Sequence, residues 1–144
     1  MDLPEFSKEE LLTSAQFTAN FWLLATMAYL KQHEQSIADW VRSGAEHVVR
    51  GFRTHENVSA LQLARTLALN PVALGGTLVC LKGDDARACA TVEFPAEEML
   101  MAFGLTLNEL DLFLSGAYEP LVTHLGLRYT SRRDGDIWTW EVSS

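Results

Sequence analysis

The sequence predicts an α+β fold with a helical N-terminal half, followed by two β-hairpins that form an antiparallel sheet packed by helices. Apolar residues recur every three to four positions through the first half, which indicates amphipathic helices. The pattern changes to β-rich runs at 77–94 and again at 127–142, with a helical pattern between them. At 144 residues the chain has the length of one domain, so we predict a single domain over 1–144.

The first helix is predicted from Lys8 to about Gln32. Ser7 and Glu10 form a capping box at its start, a pairing that satisfies two free backbone N–H groups. The segment Phe21–Leu30 is apolar all round. Such a helix is either central to the core or shared with a partner chain, and on this basis we predict a homodimer.

Two further helices are predicted from capping signals. They run from Ser36 to about Phe52 and from Ser59 to about Leu69. The dipeptide Asn70-Pro71 is expected to end or bend the second one, because the residue before proline avoids the α region.

The first hairpin is predicted to pair Thr77–Lys82 with Ala88–Phe94 around a four-residue loop. A symmetric loop places Cys80 opposite Cys89. The alternation then gives one apolar face, made of Val79, Leu81, Ala88, Ala90, Val92 and Phe94.

Helices are predicted between the hairpins. Pro95 favours one helix start, and Thr106 with Glu109 forms a capping box for a long helix to about Leu125. Pro120 should kink that helix near Gly116.

The terminal hairpin is predicted from Asp134-Gly135, a strong two-residue turn signal. Counting from this turn pairs Tyr129 with Trp140 and Arg128 with Glu141. One face of the hairpin then carries Leu127, Tyr129, Ser131, Trp138, Trp140 and Val142.

Charge, composition and missing motifs argue against several kinds of partner and site. Nineteen acidic residues against 11 basic ones give a net charge of −8, which disfavours nucleic acid as a partner. The run Phe17–Leu30 is too short to span a bilayer, so no membrane partner is expected. Residues 1–5 lack the features of a secretory signal, and we predict a cytoplasmic protein with reduced thiols. No nucleotide-binding, metal or hydrolase motif is present, and we predict no metal.

The aromatic face of the terminal hairpin is the candidate ligand site. Its residues form either a plain core face or the wall of a pocket, and Ser131 is a polar side chain within it. For a pocket, we predict a small apolar or aromatic ligand, anchored by Tyr129, Ser131 and Arg133. The predicted wall residues are Trp138 and Trp140 on the sheet and Trp22 and Tyr29 on the first helix.

The second half of the chain resembles the 4-vinyl reductase domain family, small-ligand-binding modules related to subunits of Golgi tethering complexes. The resemblance covers residues 75–142 and includes Leu125-Gly126-Leu127 and the ending Gly135-Asp136-Ile137-Trp138. It implies a ligand-binding domain. The family's cysteine, expected near Trp138 or Thr139, is missing, so no thiol or metal site is carried over.

Two related families make the comparison more specific. A bacterial family named for L-2-amino-thiazoline-4-carboxylic acid hydrolase has a similar ending, which implies a hydrolase-like alternative. Haem-based nitric-oxide sensor domains share the pattern Tyr-x-Ser-x-Arg, seen here from Tyr129 to Arg133. The nearest histidine, His124, lies too close to this motif to match the sensor's haem ligand, so we predict no cofactor.

Three functions therefore stay open at this point. The first is a non-enzymatic, sensor-like domain that binds an apolar or planar ligand between helices and sheet. The second is a hydrolase-like enzyme that uses the same cavity. The third is a structural homodimerisation module with no ligand, which a closed core without a cavity would favour.

Overall fold

A computed structural model describes residues 5–51 and 57–144; Phe52, the predicted end of the second helix, lies outside them. The elements follow the chain in an order of three helices, a hairpin, three short helices and a second hairpin. Their bounds are α1 Lys8–Gln32, α2 Ile37–Gly51, α3 Ala60–Ala73, β1 Thr77–Gly83, β2 Arg87–Glu93, α4 Glu97–Ala102, α5 Leu107–Leu114, α6 Tyr118–His124, β3 Arg128–Asp134 and β4 Ile137–Ser143.

The two hairpins form one antiparallel sheet in the order β1-β2-β4-β3, which confirms the predicted α+β fold. The central pair joins Ala90 to Trp140 and Val92 to Trp138. Alternate residues of β2 and β4 are buried against the helices, as expected where one sheet face meets a core and the other meets solvent. These buried residues are Ala88, Ala90, Val92, Trp138, Trp140 and Val142.

Helix α1 has the predicted bounds and the predicted capping box between Ser7 and Glu10. Only its C-terminal half enters the core, where Leu24 and Met27 are buried. The side-chain amide of Asn20 donates to Leu74 O at 2.7 Å, which fixes the helix against the end of α3. The N-terminal half, 8–19, is exposed apart from a half-buried Gln16.

The expected end of α3 at Asn70-Pro71 is wrong, because the helix continues through Pro71 to Ala73. Proline has no N–H to donate to the carbonyl four residues earlier, Leu67 O. The hydroxyl of Tyr118 donates to this oxygen instead, at 2.8 Å. A partner from α6 therefore satisfies the carbonyl that Pro71 leaves free. Burial raises the pKa of the Tyr118 hydroxyl to about 12.

The single long helix predicted after Thr106 is two helices, α5 and α6, separated by 115–117. The predicted kink near Gly116 is therefore a complete break. A Cβ atom at Gly116 would lie 2.3 Å from Leu112 O, so the chain turns too tightly there for a larger residue. The side chain of Ser115 donates to Asp111 Oδ1 at 2.7 Å within this turn.

The pairing predicted for the first hairpin is wrong by two positions. Cys80 lies opposite Thr91, and Cys89 lies opposite Lys82, so the cysteines are not directly paired. The register also shifts between Leu78 and Cys80, where Val79 is the extra residue of a β-bulge. Leu78, not Val79, therefore shares a face with Leu81, and the side chain of Val79 is exposed.

The terminal hairpin also pairs two positions away from the prediction: Ser131 faces Trp140, and Thr130 faces Glu141. Gly135 has φ +59° and is the only residue of this described turn at positive φ. The prediction placed Gly135 at the second central position of a type I′ turn. In the structure Gly135 takes the first central position, which glycine favours in a type II′ turn. Side chains alternate between the two faces with a period of two residues, so a shift of each partner by two positions leaves every residue on its predicted face.

In the described part of the chain, none of the helices combines the length and the apolar character needed to cross a membrane.

Candidate functional site

The predicted aromatic face of the sheet is closed over by helices. Trp138 and Trp140 are both 0% exposed. Phe94 packs near Trp138 with ring centroids 6.4 Å apart, and Tyr118 meets Trp140 edge to face at 5.6 Å. Five surface cavities stand out in the described chain, and neither tryptophan lines any of them. The packing of this face favours a core role for the two tryptophans.

Polar atoms of this face are bound by α5 and by the turn that follows it. Trp138 Nε1 donates to Asp111 Oδ1 at 2.8 Å. The hydroxyl of Tyr129 donates to Ser115 O at 3.0 Å, and burial raises the pKa of Tyr129 above its ordinary value. The sheet and the turn after α5 are therefore held together by directed hydrogen bonds as well as by apolar contact.

Arg133 and Ser131, the other predicted anchors, extend the same face toward the rim. The guanidinium of Arg133 lies 6.0 Å from the centroid of the Trp138 ring and donates to Gly135 O at 2.8 Å and to Asn108 Oδ1. Ser131 is exposed. Tyr129, Ser131, Arg133, Trp138 and Trp140 thus lie together on one face of β3 and β4.

Two donors in this cluster have no partner among the described residues. Trp140 Nε1 is buried without an acceptor among the described residues, and Arg133 Nε is in the same state. An unpaired buried donor has a desolvation cost of about 1–3 kcal/mol. A small molecule or water that offered an acceptor to Trp140 would relieve that cost.

Trp22 and Tyr29 do not join this cluster. They are 63% and 59% exposed, on the side of α1 that faces away from the core, so they do not form the opposite wall predicted for a pocket. Tyr29 stacks on His33 with ring centroids 4.0 Å apart. Both residues belong to a row along this side of the helix that we call the α1 stripe: Leu11, Ala15, Thr18, Trp22, Ala25 and Tyr29. All of them are exposed except Ala25, which is half-buried.

The α1 stripe has the spacing of a helix–helix contact. Its members alternate four and three residues apart, the a/d spacing of a heptad repeat. Three further large side chains near the start of α1 are also exposed, namely Phe6, Leu12 and Phe17. Half of this helix therefore presents apolar groups without a partner in the described chain.

The two cysteines are not part of a disulfide or of a metal-binding cluster among the described residues. Cys80 and Cys89 are free and half-buried on the sheet face that the helices leave open. No group of three or more histidine, cysteine, aspartate or glutamate side chains that could hold a metal ion occurs within 5–51 and 57–144.

Comparison with family models and with curated proteins gives no significant match for this chain.

Sequence reasoning missed the α1 stripe although its signal was present. The three-to-four spacing from Leu11 to Tyr29 is visible in the sequence, but the all-round apolar character of Phe21–Leu30 hides which face the core takes. The roles of Asp111 and Asn108 had no local signal. Both are polar residues of α5, and their hydrogen-bond partners, Arg133 and Trp138, lie 25 or more positions away in the sequence.

Proposed function

We propose that this protein is a homodimerisation module that associates through α1. The observation that supports this proposal most directly is the α1 stripe, in which Trp22 and Tyr29 are more than half exposed. Monomeric proteins rarely expose a contiguous apolar patch of more than a few hundred square ångströms. The closed packing around Trp138 and Trp140 supports the same choice, because the sheet offers no comparable apolar surface on that side.

The exposed apolar surface on α1 extends beyond the α1 stripe. Seven large apolar side chains, each at least 43% exposed, lie on or just before this helix. At roughly 200 Å² for a large side chain, they expose about 800 Å² per chain. Only Leu11, Trp22 and Tyr29 belong to the stripe, because at 3.6 residues per turn Leu12 and Phe17 lie on either side of it. The stripe alone therefore offers less than the roughly 800 Å² that each partner contributes to an interface of standard size.

The N-terminal half of α1 also needs a partner for its own stability. Residues 8–19 form roughly three turns and make little contact with the rest of the fold. Isolated helices of such length are marginal in water. Packing against a second copy would supply the missing tertiary contacts.

Size and charge favour an antiparallel pair of α1 helices. With the twofold axis near residue 20, Trp22 faces the small Thr18 of the second copy, whereas a parallel pair would place Trp22 against Trp22. Large residues pack best opposite small ones. The antiparallel arrangement also opposes the helix dipoles, and it brings the acidic first turn toward the negative end of the second helix dipole, where Lys31 lies. Lys31 already pairs with Glu109 at 2.9 Å, so the opposed dipoles, and not this charge, favour the antiparallel arrangement.

Sedimentation equilibrium tests this proposal. We expect a mass of twice 16.1 kDa for the native protein at micromolar concentration, and the 16.1 kDa monomer for Trp22→Glu. Because the side chain of Trp22 is exposed, its replacement should leave the fold intact, which circular dichroism can check. Met101→Glu, at an exposed position on α4, is the matched control and should stay dimeric. A native monomer at high micromolar concentration, or a dimeric Trp22→Glu, would refute the proposal.

A second candidate is the binding of a small planar ligand beside Trp140. The observation that favours it is the buried Trp140 Nε1 without an acceptor among the described residues, next to the exposed Ser131 on the paired strand. The resemblance to the 4-vinyl reductase domain family supports this candidate as well. The ligand would carry an acceptor for the indole N–H and reach the cluster past Ser131. Hydrolase-like activity stays a prediction without a supporting contact.

Ser131→Val is the test of this second candidate. Ligand retained by protein purified from its own cells would be identified by native mass spectrometry and added back in a thermal unfolding assay. We expect Ser131→Val to weaken binding by about 0.5–1.5 kcal/mol, the net value of one hydrogen bond, with an unchanged unfolding free energy. Thr130→Val, on the opposite face of β3, is the control. Equal affinity for Ser131→Val and native protein would remove Ser131 from the site.

A further inference from the structure

Strand β1 is an open edge of the sheet. It pairs with β2 on one side only, so the outward N–H and C=O groups of this strand have no neighbouring strand among the described residues. Leu78 and Val79 on this strand are 46% and 57% exposed. Proteins usually protect an edge with charge, proline, a bulge or a covering element, because such an edge is a template for strand pairing. Strand β1 carries a bulge at Val79 and a charge at Lys82, but its apolar Leu78 and Val79 stay exposed.

The bulge at Val79 shapes an apolar groove beside this edge. Side chains alternate along a regular strand, so residues 78 and 81 would lie on opposite faces. The extra residue at Val79 brings Leu78 and Leu81 to the same face, the one that α3 covers. Together with Leu69 and Val72 of α3 they line a groove of about 220 Å³.

Arg65 supplies the charge at this groove. It is the one charged residue that lines the cavity, it is exposed, and it forms no ion pair within the described chain. A partner that fits the groove is therefore apolar with a carboxylate, because guanidinium groups bind carboxylates with directed hydrogen bonds.

We propose that the β1 edge and the groove beside α3 bind an extended peptide of another protein by strand addition. The peptide's main chain would pair with β1, one of its apolar side chains would enter the groove, and a carboxylate would contact Arg65. Strand addition uses main-chain hydrogen bonds for affinity and side-chain pockets for specificity. A second copy of β1 fits poorly, because the strand Thr77–Gly83 contains no acidic residue that could contact Arg65.

The experiment is a selection from displayed random heptapeptides with free C-termini. We expect the enriched peptides to alternate apolar residues and to carry an acidic group, and we expect binding to be measurable by fluorescence anisotropy. Leu69→Lys should weaken binding by about tenfold or more, the loss typical of a central contact. Arg65→Gln should weaken it by about tenfold, as for a hydrogen bond to a charged group. Both positions are exposed, so both variants should fold.

Controls separate this site from the dimer surface. Met101→Lys, a substitution of an apolar side chain exposed elsewhere, should bind the peptides as the native protein does, and so should Trp22→Glu. Peptides with N-methyl groups on the strand-pairing amides should lose binding. The proposal is overturned if no peptide is enriched, or if Leu69→Lys protein or the N-methylated peptides show normal binding. It is also overturned if Leu78→Lys lowers the mass measured by sedimentation, because the occupant of the edge would then be a second copy of the chain.

Discussion

Gly83→Ala should destabilise the protein by about 3 kcal/mol or more, a sum of backbone strain and overpacking. Gly83 has φ +127°, a conformation that residues with a side chain rarely adopt. A Cβ atom there would lie 2.2 Å from Arg87 O and 2.5 Å from Ala88 Cα. Both atoms belong to the backbone of the partner strand, so the clash can be relieved only by opening the hairpin.

Gly126→Ala is the matched control for this prediction. Gly126 also has positive φ, +75°, but nothing lies within 4 Å of the position that a Cβ atom would take there. We expect it to cost about 1–2 kcal/mol, the strain of the left-handed region alone. Urea unfolding of both variants measures the difference. Equal costs would show that β1 and β2 do not approach as closely at Gly83 as described.

The turn at Gly83 also shows why the hairpin register escaped prediction. The carboxylate of Asp84 accepts hydrogen bonds from the backbone N–H groups of Ala86 and Arg87, both at 2.9 Å. This closes the loop one residue later than a symmetric count assumes, so Gly83 faces Ala88. The sequence marks a turn here through its glycine and aspartates. It does not state which of these residues takes which position.

Local signals account for what was predicted well. The capping boxes at Ser7, Ser59 and Thr106 are all present, since each depends on two residues three positions apart. The predictions that were wrong depend on distant partners. Pro71 stays helical because Tyr118, 47 positions later, binds the carbonyl that Pro71 leaves free.

For the candidate site, too, local signals predicted correctly what depends on neighbouring residues and failed where distant contacts decide. Alternation along β3 and β4 correctly groups Tyr129, Ser131, Trp138 and Trp140 on one face. Whether that face is open or closed depends on where α5 ends, which the capping signals do not specify. Trp22 and Tyr29 were assigned to the same site because an all-apolar helix gives no indication of its inner side; Leu24 and Met27 take that side instead.

Trp138→Ala should cost about 3–5 kcal/mol of unfolding free energy, the range for removing a large aromatic side chain from a packed core. Trp138 is fully buried, so its removal leaves a cavity between the sheet and α5. It also leaves Asp111 without the indole N–H that lies 2.8 Å from its carboxylate. Urea unfolding followed by circular dichroism measures the loss.

Trp138→Phe separates the two contributions. It keeps an aromatic ring in the core but removes the donor to Asp111, so we expect a smaller cost of about 1.5–3 kcal/mol, the value of a hydrogen bond to a charged group. Combining it with Asp111→Ala should give less than the sum of the single costs, because both changes remove the same contact. If Trp138→Ala cost below about 1 kcal/mol, the side chain would already be solvated. The face would then be a pocket wall, which would support the ligand-binding candidate.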